Sequence, residues 1–231
     1  MQKMGGWKDP FSRTNDTTYG VLKMAITIEW LGHASFKIST GLNIYIDPWK
    51  LSSAPHDADI LVLTHDHFDH YEPEDIAKVI NDKTQIIASA DVAAKEPAAK
   101  PMRPGDSLEI AGITFNATAA YNTDKEFHPK ANDWLGFIFE LESKRIYFAG
   151  DTDETPEMLA VENIDLAMLP VGGTYTLTGD EAAAAVNKFA PRQALPYHWG
   201  DIVGTQSDAD TFAEKSNCTV TILQPGQSIT L

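Results

Sequence analysis

Residues 65–70 read His65-Asp66-His67-Phe68-Asp69-His70, placing four metal-type ligands, His65, His67, Asp69 and His70, in one short loop. The loop follows the apolar run 60–64, which has the composition of a strand. An extended strand feeding such a loop lets His65 and His67 converge on one cation while Asp69 and His70 turn toward a second. The chemistry that follows is two-metal hydrolysis, in which paired cations lower the pKa of a shared water and polarise the bond under attack. A His-rich tract is also the composition of a surface metal trap. Two features favour a site. Three of the chain's seven histidines fall within six positions, and Asp69 supplies the hard oxygen donor that a second divalent ion and its hydroxide need.

The elements that must position this loop are legible from Met24 onward. Short β-type runs occupy residues 25–30, 34–39, 43–46 and 60–64, punctuated by Gly32, Gly41 and Pro48. A helix is expected over 73–81, and further strands at 85–88, 112–120, 134–141, 145–149, 164–169, 193–197 and 219–223. Helices are expected at 155–160, 179–189 and 207–215, the second marked by a capping box from Thr178 to Glu181. Residues 95–104, with three prolines, read as a surface connection. Strands that cluster early and alternate with helices later suggest two sheets packed face to face with helices outside.

With these strands in place, Asp47, the histidine cluster, Asp151 and His198 each sit just past a strand's carboxyl end, where ligands gather in α/β proteins. Each also has an ordinary reading. Asp47-Pro48 opens a turn, Asp151 caps the helix that follows, and His198 is a core histidine bonded to a carbonyl.

The whole chain bounds the function. Its 231 residues suit one large domain that buries roughly three quarters of the unfolded surface. Lys and Arg total 18 against 33 Asp and Glu, and the net charge of −15 argues against a nucleic-acid groove and against an anionic membrane surface. Cys218 is the one cysteine, so no intrachain disulfide forms and a reducing compartment, the cytoplasm, is expected. No run approaches the roughly twenty apolar residues of a membrane span. Residues 1–23 read as an irregular extension without the apolar segment of a secretory signal, ahead of a hydrolase domain over 24–231. Its aromatic residues, Trp7, Phe11 and Tyr19, suit packing on the domain or in a homo-oligomer.

Six segments together resemble a metallo-β-lactamase-fold hydrolase: Leu31-Gly32-His33-Ala34-Ser35-Phe36, Ile46-Asp47-Pro48, Thr64 to His70, Ala149-Gly150-Asp151-Thr152, Leu169-Pro170-Val171-Gly172-Gly173 and Pro196-Tyr197-His198-Trp199-Gly200. They run in the family's order. Within it the chain is most similar to the branch of ascorbate-6-phosphate lactonases and N-acyl-phosphatidylethanolamine phospholipases D. That resemblance implies an α/β fold, a four-layer αββα sandwich with its site at the edge between the sheets. It implies His65 and His67 on a first metal, Asp69, His70 and His198 on a second, Asp151 bridging both, and Asp47 orienting ligands from behind.

One position departs from the pattern. The family's third histidine for the first metal is expected just after the strand ending near Ala120, where this chain has Asn122, a poor substitute for imidazole. His128, six residues on, is expected to reach back and complete that site. His33 and Tyr175 are candidates for substrate contact. The expected cofactors are two divalent ions, Zn²⁺ foremost, with Mn²⁺ or Fe as alternatives. The expected reaction is hydrolysis of an ester, lactone or phosphodiester of a small molecule, with Asp69, Asp151 and His198 as the catalytic groups. Rival readings are a nuclease, a non-catalytic metal-binding protein of the same fold, and a diiron oxidoreductase. The last lacks its usual glutamate, because His67 stands there, and its flavin domain.

Overall fold

A computed structural model of the chain describes residues Met24 to Leu231, so the N-terminal extension expected at 1–23 lies outside the described residues. The first sheet holds β1 (Thr27–Gly32), β2 (Ser35–Ser39), β3 (Asn43–Ile46), β4 (Ile60–Leu63), β5 (Gln85–Ala88) and β6 (Ala99–Pro101), with helices α1 (Pro73–Val79) and α2 (Ala90–Ala93) between them. The second sheet is built from β7 (Ser107–Ile110), β8 (Ile113–Ala119), β9 (Leu135–Leu141), β10 (Lys144–Phe148), β11 (Leu166–Pro170), β12 (Gln193–Tyr197) and β13 (Thr219–Val220). Helices α3 (Pro156–Leu159), α4 (Gly179–Phe189) and α5 (Gln206–Lys215) interrupt that sequence, and β14 (Ser228–Thr230) returns to pair with β1 in the first sheet.

Both sheets have seven strands and both are mixed. The first runs β14-β1-β2-β3-β4-β5-β6, antiparallel as far as β3 and parallel from β3 to β6. The second runs β13-β12-β11-β10-β9-β8-β7, parallel as far as β10 and antiparallel beyond. This is the expected α/β sandwich.

Strand β4 shows why four layers form. Its residues are all fully buried, which a strand covered on both faces requires. Side chains alternate across the pleat, so Ile60 and Val62 join the large core between the sheets while Leu61 and Leu63 join a second cluster with Ile76 and Val79 of α1 and Val92 of α2. On the other side, Ala182, Ala183 and Val186 of α4 and Phe212 of α5 pack into the large core against β11 and β12. Helix α4 begins where the sequence places it: Thr178 Oγ1 accepts from Glu181 N–H at 3.2 Å, and Glu181 Oε2 accepts from Thr178 N–H at 2.8 Å.

The short edge elements differ from expectation. Residues 95–104, read as a connection, contain β6, and α2, β7 and β14 carry no sequence signal strong enough to mark them. A three- or four-residue strand is held by its neighbour's ladder rather than by its own periodicity. Pro101 is tolerated in β6 because that strand lies at the sheet edge. Among the described residues no helix is long and apolar enough to cross a membrane.

Close approach of β9 to the segment leaving β10 depends on Gly136. A Cβ there would stand 2.5 Å from the Ala149 carbonyl oxygen and 2.8 Å from its carbon, backbone atoms that cannot swing aside. Gly136→Ala is therefore expected to cost about 1–3 kcal/mol, the range for overpacked sites, read as a lower urea midpoint. An unchanged midpoint would show that the two segments separate freely.

Candidate metal centre

Carboxyl ends of strands from both sheets meet at one edge. His33 follows β1, Asp47 follows β3, Thr64 and the histidine loop follow β4, Asp151 follows β10 by way of Ala149-Gly150, and His198 follows β12. His128 comes from the long connection between β8 and β9. Three of these residues, His33 (φ 50°), Asp47 (φ 42°) and His198 (φ 59°), lie in the left-handed region. A non-glycine residue there costs on the order of 1–2 kcal/mol, and it ends the pleat at once, turning the side chain into the gap between the sheets. Backbone bonds hold the turns in place. The His33 carbonyl accepts from His198 N–H at 3.0 Å and from Trp30 Nε1–H at 2.9 Å, so one strand end of each sheet is tied to the other.

Asp47 organises the histidine loop. It is fully buried, and its Oδ1 accepts from Thr64 N–H at 2.9 Å. Its Oδ2 accepts from the Thr64 hydroxyl at 2.6 Å and from His70 Nδ1 at 2.8 Å. Because the Thr64 proton is committed to Asp47, Thr64 Oγ1 faces His65 Nδ1, 3.0 Å away, as an acceptor. Both His65 and His70 then carry their proton on Nδ1, which leaves each Nε2 lone pair directed into the site. Asn122 does the same for His128: its Oδ1 accepts from His128 N–H at 2.9 Å and from Nδ1 at 3.1 Å. The position where an imidazole was expected thus holds the amide that orients the imidazole arriving from residue 128.

The freed nitrogens converge. His65 Nε2 and His67 Nδ1 stand 3.1 Å apart, and the donor atoms of His65, His67 and His128 lie within 4.8 Å of one another. Those of His33, Asp69, His70 and His198 form a second such group, and His65, His70 and Asp151 a third. Asp151 Oδ2 sits between the first two, 3.4 Å from His128 Nε2, 3.3 Å from His70 Nε2 and 2.9 Å from His198 Nε2. These are contacts in distance alone. All three Nε2 atoms and Asp151 Oδ1 are buried without a hydrogen-bond partner. Buried polar atoms left unpaired cost about 1–3 kcal/mol each, and a divalent cation satisfies them. A tetrahedral ion with bonds of about 2.0–2.1 Å sets its ligand atoms about 3.3 Å apart, close to the separations seen. The donor set, imidazole and carboxylate, therefore fits a cation of the Zn, Mn or Fe type.

Charge follows the same arrangement. Burial pushes His65 well below the usual imidazole value and lowers His67, so both are neutral donors. Burial alone would raise Asp151, but His198 and His70 outweigh it and hold the carboxyl well below the carboxylate range. Burial likewise works against ionising Asp69, yet the His33 hydrogen bond, at 2.8 Å, and the His70 charge bring it to about 2. Burial lowers His33 to about 4 in spite of that bond.

A cavity of about 360 Å³ opens over Asp69, Asp151, His67, His128 and His198. Tyr175 lines it, and Phe68, Phe127 and Ile202 form its mouth. His33 does not line it: the ring lies behind Asp69, buried, with Trp49 4.9 Å from it. A larger cavity of about 480 Å³ lies elsewhere, by Thr118, Tyr121 and Trp134; the charged groups on its wall pair with others, Lys130 with Glu157 and Asp133 with Arg103. Sequence reasoning did not single out Thr64, whose role depends on a partner 17 residues away. Trp134 is buried and packs its indole on His65, His67 and His128, with ring centroids 4.7, 4.7 and 5.5 Å away. His56 is exposed and outside the cluster.

Comparison with known proteins places the chain in a family and a fold. A family model described as the beta-lactamase superfamily domain matches residues 27–198. A UPF0173 metal-dependent hydrolase from Pyrobaculum arsenaticum is 31% identical over 228 residues, covering 88% of this chain and 99% of the relative. One from Nitratidesulfovibrio vulgaris is 30% identical over 236 residues, covering 90% and 96%. Among solved structures, a protein from Parabacteroides distasonis described as a metal-dependent hydrolase superposes with a TM-score of 0.76 at 32% identity, covering 87% of this chain and 94% of that one. Igni18, a metallo hydrolase from Ignicoccus hospitalis, shares the fold at a TM-score of 0.75 and 22% identity, covering 90% and 98%.

The Asp47 network has a measurable consequence. Asp47→Ala leaves the Thr64 hydroxyl, the Thr64 N–H and His70 Nδ1 buried without an acceptor, so the metal-stripped protein is expected to lose about 3 kcal/mol or more in urea denaturation. Asp47→Asn, which keeps an acceptor oxygen, should lose less. Equal losses for the two variants would argue that packing, not acceptance of these protons, is what Asp47 supplies.

Proposed function

We propose that this chain, which belongs to the beta-lactamase superfamily and is a metal-dependent hydrolase, holds two divalent cations and hydrolyses an ester, lactone or phosphodiester of a small-molecule substrate. The observation that carries the reading is the meeting of His70, His128 and His198 Nε2 around Asp151 Oδ2, with every one of those nitrogens unpaired. In this reading His65, His67 and His128 hold one cation, Asp69, His70 and His198 the other, and Asp151 both. Zn²⁺ suits the mixed nitrogen and oxygen donors, as do Mn²⁺ and Fe. Bound there, the ions supply Lewis acidity, bringing a water's pKa from 15.7 down to about 7 and polarising the carbonyl or phosphoryl oxygen.

The chain's own groups do the rest. Asp69, ionised and at the cavity floor, takes the proton of the attacking water and returns it to the departing oxygen. His33 fixes the plane of that carboxylate through its Nε2 hydrogen bond. Tyr175, on the cavity wall, offers a hydroxyl to the leaving oxygen. Asp47, Thr64 and Asn122 hold three imidazoles in the required tautomer. No serine or cysteine nucleophile is needed.

The purified protein is expected to carry two metal equivalents per chain by elemental analysis, and chelation should abolish hydrolysis until Zn²⁺ is restored. His128→Ala should reduce the content toward one equivalent; two retained equivalents with full activity would remove His128 from the ligand set. Asp69→Ala should lower kcat by about 10²–10⁴, the usual contribution of a general acid–base. A metal-replete protein inert toward ester, lactone and phosphodiester panels would refute the hydrolytic assignment.

A further inference from the structure

We infer that the substrate is an uncharged carboxylic ester or lactone bearing an apolar chain, and that Phe68, Phe127 and Ile202 seat that chain at the cavity mouth. The inference rests on the hydrolase reading above and narrows it to one bond and one side-group chemistry.

The first observation is where exposed apolar surface falls. Among the described residues the large hydrophobic side chains left exposed are Met24, Phe68, Phe127 and Ile202, and the last three all border the same cavity. Phe68 is 65% exposed and Phe127 47%. Scattered exposed hydrophobics are ordinary, whereas several meeting at one concave mouth mark a binding surface. They arrive from three separate loops, those after β4, β8 and β12, so no single element's amphipathic pattern accounts for the meeting. Two of the rings are also braced. Phe127 stands edge-on to Tyr175 at 4.7 Å and 90°, and Phe68 edge-on to Trp49 at 6.2 Å. A braced aromatic presents its area at little cost in conformational freedom.

The second observation is charge. The cavity wall carries Asp69 and Asp151 and neither lysine nor arginine. The lysines tied in sequence or by an ion pair to the mouth loops are engaged by carboxylates: Lys50 with Asp201, next to Ile202, at 2.8 Å, Lys95 with Asp66, two residues from Phe68, at 2.5 Å, and Lys125, two residues from Phe127, with Asp153 at 2.5 Å. Arg192 lies 3.5 Å from Asp165, on the wall of a separate cavity. A phosphodiester keeps its negative charge throughout, and no lysine or arginine on the wall is placed to receive the non-bridging oxygens that face away from the cations. An ester or lactone carbonyl is neutral until the transition state. A volume of about 360 Å³ suits such a small molecule.

The reaction balances without a further reactant. Water's oxygen bonds to the acyl carbon, the bond from that carbon to the alkoxy oxygen breaks, and Asp69 passes a water proton to the departing alkoxide. An ester yields a carboxylate, an alcohol and one released proton; a lactone yields a hydroxy acid in its ionised form, again with one proton.

The test uses the Zn²⁺-loaded full chain and p-nitrophenyl acetate, butyrate and hexanoate beside bis(p-nitrophenyl) phosphate. Burying one methylene corresponds to about a fourfold gain, so kcat/KM is expected to rise by that factor for each methylene in contact and to exceed the phosphodiester value at least a hundredfold. Phe127→Ala and Phe68→Ala, at exposed positions that should not disturb folding, are expected to flatten the chain-length series tenfold or more at unchanged metal content. A flat series, or a phosphodiester cleaved faster than the esters, overturns this inference and leaves the hydrolase reading standing. Calorimetry with hexanamide separates the opposite case. Hexanamide binding that Phe127→Ala weakens fivefold or more supports the apolar seat even where the whole panel is inert and the hydrolase reading fails. Inertness together with no hexanamide binding overturns both.

Discussion

A buried carboxylate with three donors is the constraint on which the rest of the site depends. Asp47 is fully buried at the end of β3, and burial pushes its carboxyl above the usual carboxylate range. The Thr64 hydroxyl, the Thr64 N–H and His70 Nδ1 offset that cost. In satisfying Asp47 they settle the tautomers of two imidazoles, one directly and one through a hydroxyl. The same group that would destabilise the fold if left alone is thus what aims the nitrogens of residues 65 and 70.

Two sheets with opposite ladders make such a meeting available. Parallel pairing makes β3 and β4 in one sheet, and β10 and β12 in the other, end at the same edge, and β1 and β8, each two antiparallel steps from β3 or β10, run in the same sense as those strands. Right-handed extended backbone would carry the chain past that edge. Left-handed turns at His33, Asp47 and His198, and at Gly150 (φ 72°), stop it there. The backbone strain is local, and the cross-sheet hydrogen bond from His198 N–H to the His33 carbonyl shows where it is offset. Six of the chain's seven histidines end in the metal-type groups, although they come from positions as distant as 33 and 198.

Around this polar floor the walls are of a different character. Trp134 closes the back of one imidazole group, and the mouth is apolar and free of cations. The chain carries an excess of acid, −15 in all, and Lys50 and Lys125 are each paired with a carboxylate. Chemistry at the floor and recognition at the rim are therefore separable, since they use different residues from the same loops.

Local periodicity and spacing were enough to read the strand-and-helix order of the main elements, the apolar run that becomes β4, the capped start of α4 and the histidine loop. The sequence also contained the resemblance that assembles the ligand set. It did not mark β6, β7 or β14, whose few residues are held by pairing with distant strands. Nor did it reveal that Asn122 orients His128, that Thr64 links Asp47 to His65, that His33 lies behind Asp69, or that Phe68, Phe127 and Ile202 share one mouth. Those relations join residues 6 to 134 positions apart, and no local pattern encodes a distance between loops. Only the packing of two sheets across a common core brings the loops to one edge and decides which side chains touch.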